Sequence, residues 1–157
     1  MTTSNNNIKA KVRTDKPSDS WTKTKDNSPG KNTYYYMFTG GYWYQNGSIG
    51  DHTSSEDDGP AGEVELLEGQ TSFNIAVDDA TGNGFLIKNW DLSKDGSLNE
   101  TFTPAPGTVQ RPPVSNLTIA VGAEGAGQKD KYKGYYVTLV GTDGYEIELD
   151  PRIYEKR

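Results

Sequence analysis

The segments Gly134-Tyr-Tyr-Val-Thr-Leu-Val140 and Tyr145-Glu-Ile-Glu-Leu149 flank the turn sequence Thr142-Asp-Gly144. Aromatic and β-branched residues favour strands, and the dipeptide Asp-Gly favours the tight turn of a β-hairpin. The three segments therefore predict two antiparallel strands joined by a short turn. Because this is the clearest hairpin signal in the sequence, it indicates an all-β protein.

The remaining sequence consists of short apolar or alternating runs separated by Gly, Pro, Asn and Asp residues, without helical periodicity. Further strands are predicted at residues 8–12, 34–44, 63–67, 72–77, 85–90, 98–103 and 114–121. Turns are predicted at residues 78–84 and 91–96, and the prolines of residues 104–113 indicate a non-helical connection. Many short strands without helices predict an antiparallel β-sandwich, with a β-barrel as the alternative.

Residues 1–157 are predicted to form a single domain, because this length suits one hydrophobic core. Residues 1–7 are polar, and we expect them to be disordered. Residues 14–33 are rich in Lys, Asp, Ser, Thr and Pro, which predicts a long loop. Trp21 lies in that loop, and its large ring is expected to hold the loop against the fold.

An aromatic segment stands out in the first third of the chain. Seven of the eleven residues from 34 to 44 are aromatic, and no charge occurs between Tyr34 and Gly50. A strand alternates its side chains between the two sheet faces, so this segment must place aromatic rings on both. The outward rings are covered either by loops of the same protein or by a ligand or another subunit.

The candidate ligand-binding residues are aromatic side chains next to amides or carboxylates. They are Tyr42, Trp43, Tyr44 and Asn46 in the aromatic segment, and Trp90 before Asp91. Aromatic rings suit the apolar face of a sugar, and amides can bind its hydroxyl groups. The alternative for Trp43 is a position in the core or in a subunit interface. Trp90 ends an apolar run, and the core is the favoured interpretation for it.

The sequence Asp91-Leu-Ser93-Lys-Asp95-Gly96-Ser97 has oxygen-bearing side chains at alternate positions and glycine at the sixth. This spacing is typical of loops that wrap a calcium ion, because glycine permits the sharp turn. Asp91, Ser93, Asp95 and Ser97 are therefore candidate calcium ligands, although the Glu that completes an EF-hand is missing. A simple turn between strands would use the same residue types.

Charge and hydropathy exclude some partners. The net charge is −6, and residues 51–100 hold twelve acidic and two basic residues. Nucleic acid is not expected as a partner, because phosphate contacts require a basic surface. No segment approaches membrane-spanning length, and residues 1–7 lack the apolar core of a signal peptide. We therefore expect a cytoplasmic protein, or one released by a route that needs no signal peptide.

No group of residues predicts catalysis. His52 is the only histidine, and it lies in a polar segment without a nucleophile-elbow pattern around any serine. The absence of cysteine removes thiol nucleophiles, disulfides and zinc–thiolate sites. We therefore expect a protein that is not an enzyme and requires no cofactor.

Three parts of the chain share features with a known family. They are Asn27-Ser-Pro-Gly30 before Tyr34-Tyr-Tyr-Met37, Gly62-Glu-Val-Glu-Leu66 before Glu68-Gly69, and Tyr135-Tyr136 with Asp143-Gly144 and Asp150-Pro-Arg-Ile153. In these features the chain resembles the inclusion-body protein family of bacteria, which includes the PixA and AidA proteins. The resemblance implies a non-enzymatic β-sandwich that is made in quantity inside bacterial cells and self-associates.

The sequence leads to one expected function and two alternatives. We expect a lectin-like β-sandwich that binds a carbohydrate, self-associates as a homo-oligomer, and carries a candidate calcium site. The first alternative is a storage or structural protein of inclusions whose aromatic residues form subunit contacts only. The second is a membrane-active toxin similar to the aegerolysins. Binding of soluble sugars would indicate the lectin-like protein, and binding to lipid vesicles would indicate the toxin.

Overall fold

The computed structural model describes residues 7–18, 21–26, 33–39, 43–45, 48–50, 64–66, 71–123, 126–129, 131–150 and 152–155. Within these ranges the chain forms strands, turns and irregular segments, without helix. The strands make two large sheets and one separate pair, and neither large sheet closes into a barrel. The predicted all-β sandwich is thereby confirmed.

Fifteen strands lie within the described residues. In chain order they are β1 (Asn7–Arg13), β2 (Thr22–Lys23), β3 (Lys25–Asp26), β4 (Tyr35–Thr39), β5 (Trp43–Gln45), β6 (Ser48–Gly50), β7 (Val64–Leu66), β8 (Ser72–Asp79), β9 (Leu86–Gly96), β10 (Phe102–Thr103), β11 (Val109–Val114), β12 (Asn116–Val121), β13 (Tyr132–Val140), β14 (Glu146–Leu149) and β15 (Arg152–Glu155). Strand β1 begins at Asn7, the last residue of the segment predicted to be disordered. Strands β2 and β3 lie within the predicted loop of residues 14–33.

The first sheet has the strand order β10-β12-β8-β1-β4-β2. Strand β1 lies inside it and pairs antiparallel with β4 and parallel with β8. Ile8, Ala10 and Val12 are buried and alternate with lysines, as the sequence pattern predicts for a strand with one face on the core. The first sheet thus presents a mixed polar surface on its outer side.

The second sheet has the strand order β11-β9-β13-β14-β3, and β15 pairs with β13 and β7. The predicted hairpin is confirmed by the antiparallel pairing of β13 and β14, in which Val140 lies opposite Glu146. Gly144 in the turn has φ of 85°, a conformation that glycine adopts without strain. Because β14 and β15 pair with different parts of β13, this strand has three neighbours and organises the sheet.

The described residues form one hydrophobic core, which lies between the two sheets and draws side chains from both. At its aromatic centre the ring centroid of Trp90 lies 5.2 Å from that of Phe102 and 6.4 Å from those of Phe73 and Tyr135. These rings meet edge to face, which is a favourable geometry for aromatic pairs. The indole N–H of Trp90 donates to the carbonyl oxygen of Pro104 at 3.1 Å. Large rings therefore supply much of the core in a chain that is only 32% hydrophobic.

Strand β4 places large side chains on both faces, as the aromatic segment predicted. Tyr36 and Phe38 belong to the core, whereas Met37 is fully buried outside it. Trp21 is also buried outside the core, with 2% of its surface exposed, and the Arg13 guanidinium carbon lies 5.7 Å from its ring centroid. The prediction that Trp21 packs against the fold is confirmed.

Several predicted elements were wrong in detail. Residues 91–96, predicted as a turn, continue β9, because pairing with β13 holds them in a strand. The strand predicted at 98–103 is reduced to β10, and the prolines 112 and 113 lie in β11 at the sheet edge, where a missing N–H is tolerated. The pairings are not all antiparallel, since β1 with β8 and β7 with β15 are parallel.

None of the described residues belongs to a helix that is long and apolar enough to cross a membrane.

Candidate functional site

The group of predicted ligand-binding residues around Trp43 lies largely outside the described residues. Tyr42 and Asn46 are not described, and for Trp43 and Tyr44 only the backbone, in β5, is described. Their role in carbohydrate binding stays a prediction. Trp90, by contrast, is completely buried, and its indole N–H is satisfied within the fold. The interpretation of Trp90 as a core residue is confirmed, so this ring offers no surface to a ligand.

Three of the predicted calcium ligands lie together on the outer surface of the second sheet. Asp91 of β9 lies opposite Tyr136 of β13, and Ser93 and Asp95 lie against Gly134. Gly134 and Tyr136 project away from the core because Tyr135 and Val137 point into it. We refer to this surface as the tyrosine–aspartate face, and it consists of Asp91, Ser93, Asp95, Tyr132, Gly134 and Tyr136.

Two hydrogen bonds between tyrosine and aspartate define this face. The Tyr136 hydroxyl donates to Asp91 Oδ2 at 3.3 Å, and the Tyr132 hydroxyl donates to Asp95 Oδ1 at 3.3 Å. Asp91 Oδ1 also accepts the backbone N–H of Leu92 at 2.8 Å. Each carboxylate therefore has an oxygen that fixes a phenol hydroxyl, and the Asp91 carboxylate is anchored to the backbone as well.

Gly134 separates the two tyrosine–aspartate pairs. A side chain at this position would overlap the hydroxyl oxygen of Ser93, and its Cβ would lie 3.1 Å from Cβ of Asp95. The pairing register explains this crowding, because Tyr135 lies opposite Leu92 and Lys133 opposite Gly96, so that β9 bulges at residues 93–95. The absence of a side chain at Gly134 makes room for the Ser93 hydroxyl between the two pairs.

A second glycine borders the face at Asp91. Gly107 has φ of 87°, and its N–H donates to the carbonyl oxygen of Trp90 at 2.7 Å. A Cβ built on Gly107 would lie 3.4 Å from Asp91 Oδ2. The turn before β11 therefore places a residue without a side chain next to the Asp91 carboxylate. This side of the carboxylate is covered by the backbone of that turn.

The Tyr136 hydroxyl is held in its protonated form. Partial burial raises its pKa above the ordinary value of 10.0, and the negative charges of Asp91, Glu148 and Asp150 raise the pKa further. The hydrogen bond to Asp91 acts in the same direction, because the neutral hydroxyl is the donor. Tyr136 is therefore a hydrogen-bond donor throughout the physiological pH range.

The described geometry does not reproduce the predicted calcium loop. Asp91 and Asp95 bond to different tyrosines, and Ser97 follows the end of β9 with its N–H bonded to the carbonyl oxygen of Tyr132 at 2.9 Å. Among the described residues, no group of three or more His, Cys, Asp or Glu side chains is placed to hold a metal ion. Calcium binding at this segment stays an untested prediction.

The tyrosine–aspartate face presents carboxylates, hydroxyl groups and phenol rings to solvent. Asp95 is exposed, while Asp91, Ser93, Tyr132 and Tyr136 are half-buried. The carboxylates accept hydrogen bonds, the hydroxyl groups donate and accept them, and the phenol rings offer apolar surface. This set can bind a neutral molecule that carries several hydroxyl groups and apolar C–H surface.

Sequence reasoning missed the two tyrosines of the face as site residues. Tyr132 and Tyr136 are spaced four residues apart around Gly134, a period-two pattern that places all three on one side of a strand. The matching spacing of Asp91, Ser93 and Asp95 carried the same information. That spacing was interpreted as a calcium-binding loop or a simple turn, because Asp, Ser and Gly are typical of both.

No protein-family model matches the chain, and no curated protein sequence matches it. The resemblance to the inclusion-body protein family therefore stays a prediction.

Proposed function

We propose that the protein is a non-enzymatic carbohydrate-binding protein and that the tyrosine–aspartate face is its binding surface. The observation that carries this proposal is the pair of tyrosine–aspartate hydrogen bonds on one sheet face, with the Ser93 hydroxyl between them. Sugars combine dense hydroxyl groups with apolar C–H faces. Carboxylates and half-buried phenol rings complement these two features.

The preorganised hydrogen bonds support binding without large rearrangement. The Asp91 carboxylate is already oriented by the Leu92 N–H, and it keeps further lone pairs for a ligand hydroxyl. Side chains that are fixed before binding lose less conformational entropy when the ligand arrives. We therefore expect the face to bind sugar with the tyrosine rings in the positions described.

The spacing of the tyrosines favours a chain of sugars over a single one. Tyr132 and Tyr136 are four residues apart on β13, which corresponds to about 13 Å along a strand. That distance exceeds the width of one sugar ring. Oligosaccharides that bridge both tyrosines are therefore expected to bind more tightly than the corresponding monosaccharides.

A glycan-array screen of the purified protein tests the proposal. It is run once with calcium and once with EDTA, so that the same experiment also tests the predicted calcium ligands. The Tyr136→Ala protein is expected to lose at least tenfold in affinity for any glycan that binds. Tyr35→Ala is the matched control, because Tyr35 is a half-buried tyrosine on the other sheet.

The outcomes separate the proposal from its rivals. Loss of binding in Tyr136→Ala but not in Tyr35→Ala supports the proposed surface, and equal loss in both contradicts it. A blank array under both conditions, together with concentration-dependent assembly, would favour a storage protein. Cleavage of a bound glycan on prolonged incubation would contradict the non-enzymatic part of the proposal.

A further inference from the structure

Strand β12 lies near one end of the first sheet, and only part of it has a neighbouring strand on the side away from β8. Towards the middle of the sheet it pairs antiparallel with β8 from Asn116 to Ala120. On the other side, β10 pairs with Ala120 and Val121. Residues 116–119 pair on this side with none of the strands that the structure describes. We refer to this side of residues 116–119 as the open edge of β12.

The chain leaves β12 at Pro104. The register of β10 with β12 would place Pro104 opposite Ile119. Proline has no N–H to donate to a neighbouring strand, and the carbonyl oxygen of Pro104 accepts the indole N–H of Trp90 at 3.1 Å. The segment that follows leads to β11 in the second sheet. These features explain why the pairing of β10 with β12 is so short.

The hydrogen bonds of β12 show which backbone groups point to the open edge. The N–H of Val77 donates to the carbonyl oxygen of Ser115 at 2.9 Å, and the N–H of Val121 donates at 2.7 Å to the residue before β8. In an antiparallel sheet, successive residues of a strand bond alternately to one neighbouring strand and to the other. The odd-numbered residues of β12 thus bond to β8. The N–H and C=O groups of Asn116 and Thr118 therefore point to the open edge.

The terminal strands of the two large sheets differ from β12 in their resistance to strand addition. Strand β11 contains Pro112 and Pro113, and β10 is followed directly by Pro104. Strands β2, β3 and β7 span two or three residues, and each contains a charged residue. Proline, charge and short length are the usual protections of sheet edges. The six residues of β12 include neither proline nor a charged residue, so this edge lacks those protections.

The open edge is suited to a second copy of the chain. Asn116 and Thr118 are exposed, whereas Leu117 and Ile119 are buried in the core. The net charge of −6 makes two copies repel each other in general. Because β12 carries no charge, two copies can approach through this strand without placing like charges opposite each other.

Two copies of β12 also match in hydrogen bonding about a two-fold axis at Leu117. In an antiparallel arrangement with Leu117 opposite its counterpart, Asn116 of each copy lies opposite Thr118 of the other. Each such pair exchanges two backbone N–H···O=C bonds. The Thr118 hydroxyl donates to Asn74 Oδ1 at 2.8 Å and keeps lone pairs that can accept from the Asn116 amide of the other copy. The strand is therefore complementary to itself.

We propose that the protein forms a two-fold dimer through the open edge of β12, so that the first sheets of two copies become one continuous sheet. A contact of so few residues buries little surface, and we expect a dissociation constant of about 0.1 mM or below. The proposal does not depend on carbohydrate binding, because the tyrosine–aspartate face belongs to the second sheet.

Amide hydrogen exchange, followed by NMR, reports directly on this pairing. In the monomer the N–H groups of Asn116 and Thr118 face solvent, whereas in the dimer they are hydrogen-bonded. Raising the protein concentration from about 0.02 mM to about 1 mM is expected to slow their exchange about threefold or more. The N–H of Leu117 bonds to β8 in both states, and its exchange should change much less. Sedimentation velocity over the same concentrations measures the mass of the dimer.

Two exposed threonines of the first sheet provide a matched pair of variants. Thr118→Lys places a charge on the open edge and is expected to weaken dimerisation about fivefold, because the two new charges lie close together across the axis. Thr22→Lys makes the same change on β2, at the opposite end of the sheet, and is expected to leave dimerisation unchanged. Circular dichroism of each variant checks that its fold is intact.

Asn116→Glu tests the predicted register. Alone, this variant should dimerise less well than the unaltered protein, because its own new charges repel each other. Mixed with Thr118→Lys it should form a heterodimer, since the new glutamate of one chain then lies directly opposite the new lysine of the other. The mixture is therefore expected to associate more tightly than either variant alone.

Dimerisation through this edge would be disproved by any of three results. The protein could stay monomeric, with unchanged exchange of Thr118, at every concentration. Thr22→Lys and Thr118→Lys could weaken association equally, which would place the contact elsewhere. The mixture of Thr118→Lys with Asn116→Glu could associate no better than its components, which would exclude the antiparallel pairing about Leu117.

Discussion

The hydroxyl group of Tyr136 donates to Asp91 Oδ2 at 3.3 Å across the pairing of β9 with β13, while Asp91 Oδ1 accepts the N–H of Leu92 at 2.8 Å. One carboxylate therefore links a phenol hydroxyl to the backbone of the neighbouring strand. The second pair, Tyr132 with Asp95, repeats the side-chain hydrogen bond further along the same two strands. These hydrogen bonds consequently tie the tyrosine–aspartate face to the two strands that carry it.

The ionisation of Tyr136 is expected to couple to folding stability. Burial is the main cause of its raised pKa, followed by the charge of Asp91. Because the folded-state pKa is higher than the unfolded one, the native state holds this proton more tightly. The resulting stabilisation is complete below about pH 10 and is lost as the pH rises through the folded-state pKa. An NMR titration of tyrosines labelled at the ζ carbon measures the ionisation.

Two conservative variants test the cause of that shift. Asp91→Asn is expected to lower the pKa of Tyr136 but to leave it above 10.0, since burial is the larger cause. Asp95→Asn serves as the control, because Asp95 bonds to Tyr132. An equal effect of both variants on Tyr136 would show that the influence of Asp91 is not a local one.

Trp90 is expected to be critical for stability. It is fully buried at the centre of the aromatic cluster, and its indole N–H bonds to Pro104. Replacement by alanine should lower the free energy of unfolding by about 3–5 kcal/mol, because it removes apolar contacts and leaves a cavity. Trp90→Phe should lower it by less. Chemical denaturation followed by circular dichroism measures both, and a small loss in Trp90→Ala would contradict the central position of this ring.

Asp79 is expected to hold the connection from the first sheet to the second. Its carboxylate accepts the backbone N–H groups of Thr81 at 2.9 Å, Gly84 at 2.9 Å and Phe85 at 3.2 Å. Asp79→Ala should destabilise the protein by about 2–4 kcal/mol, since these three backbone donors and the Thr81 hydroxyl lose a charged acceptor. The neighbouring Asp78 is exposed and provides the control. Equal denaturation midpoints for Asp78→Ala and Asp79→Ala would refute the assignment.

A side chain at Gly134 is expected to disturb the tyrosine–aspartate face. Gly134→Ala would place its Cβ against the Ser93 hydroxyl, at a cost of about 1–3 kcal/mol. The double variant with Ser93→Gly removes the obstructing hydroxyl and should recover part of this loss. A double-mutant cycle from thermal unfolding gives the coupling, and simple additivity would show that the two positions do not compete for space.

Local signals predicted the strands better than their partners. The β13–β14 hairpin was predicted because its turn chemistry and both strands lie within a few residues of each other. The second half of β9 was missed, since Asp91, Ser93, Asp95 and Gly96 are turn-forming residues and only pairing with β13 makes them a strand. The parallel pairing of β1 with β8 joins distant segments, and nothing in either sequence specifies the partner.

For the candidate site, too, local signals predicted more than the contacts between distant segments. The spacing of Asp91, Ser93 and Asp95 predicted a loop around a calcium ion, whereas the structure holds these residues in a strand with a bulge. Calcium binding by them stays a prediction. Tyr132 and Tyr136 lie beside these residues only because β13 pairs with β9 in the sheet. Trp21 was expected to pack against the fold, whereas its unpaired indole N–H depends on which atoms surround the ring and could not be inferred from residue types.

The parallel pairing of β1 with β8 has a consequence for how the chain reaches its native state. Asn7 pairs with Asn74, and Val64 pairs with Ile153, so neither large sheet can be completed by local contacts. Closing such long loops costs entropy before the contacts can compensate, and proteins of this kind fold in milliseconds to seconds. During that interval the apolar sides of β1 and β8 face water. The chain is therefore expected to be more prone to aggregation while it folds than after it has folded.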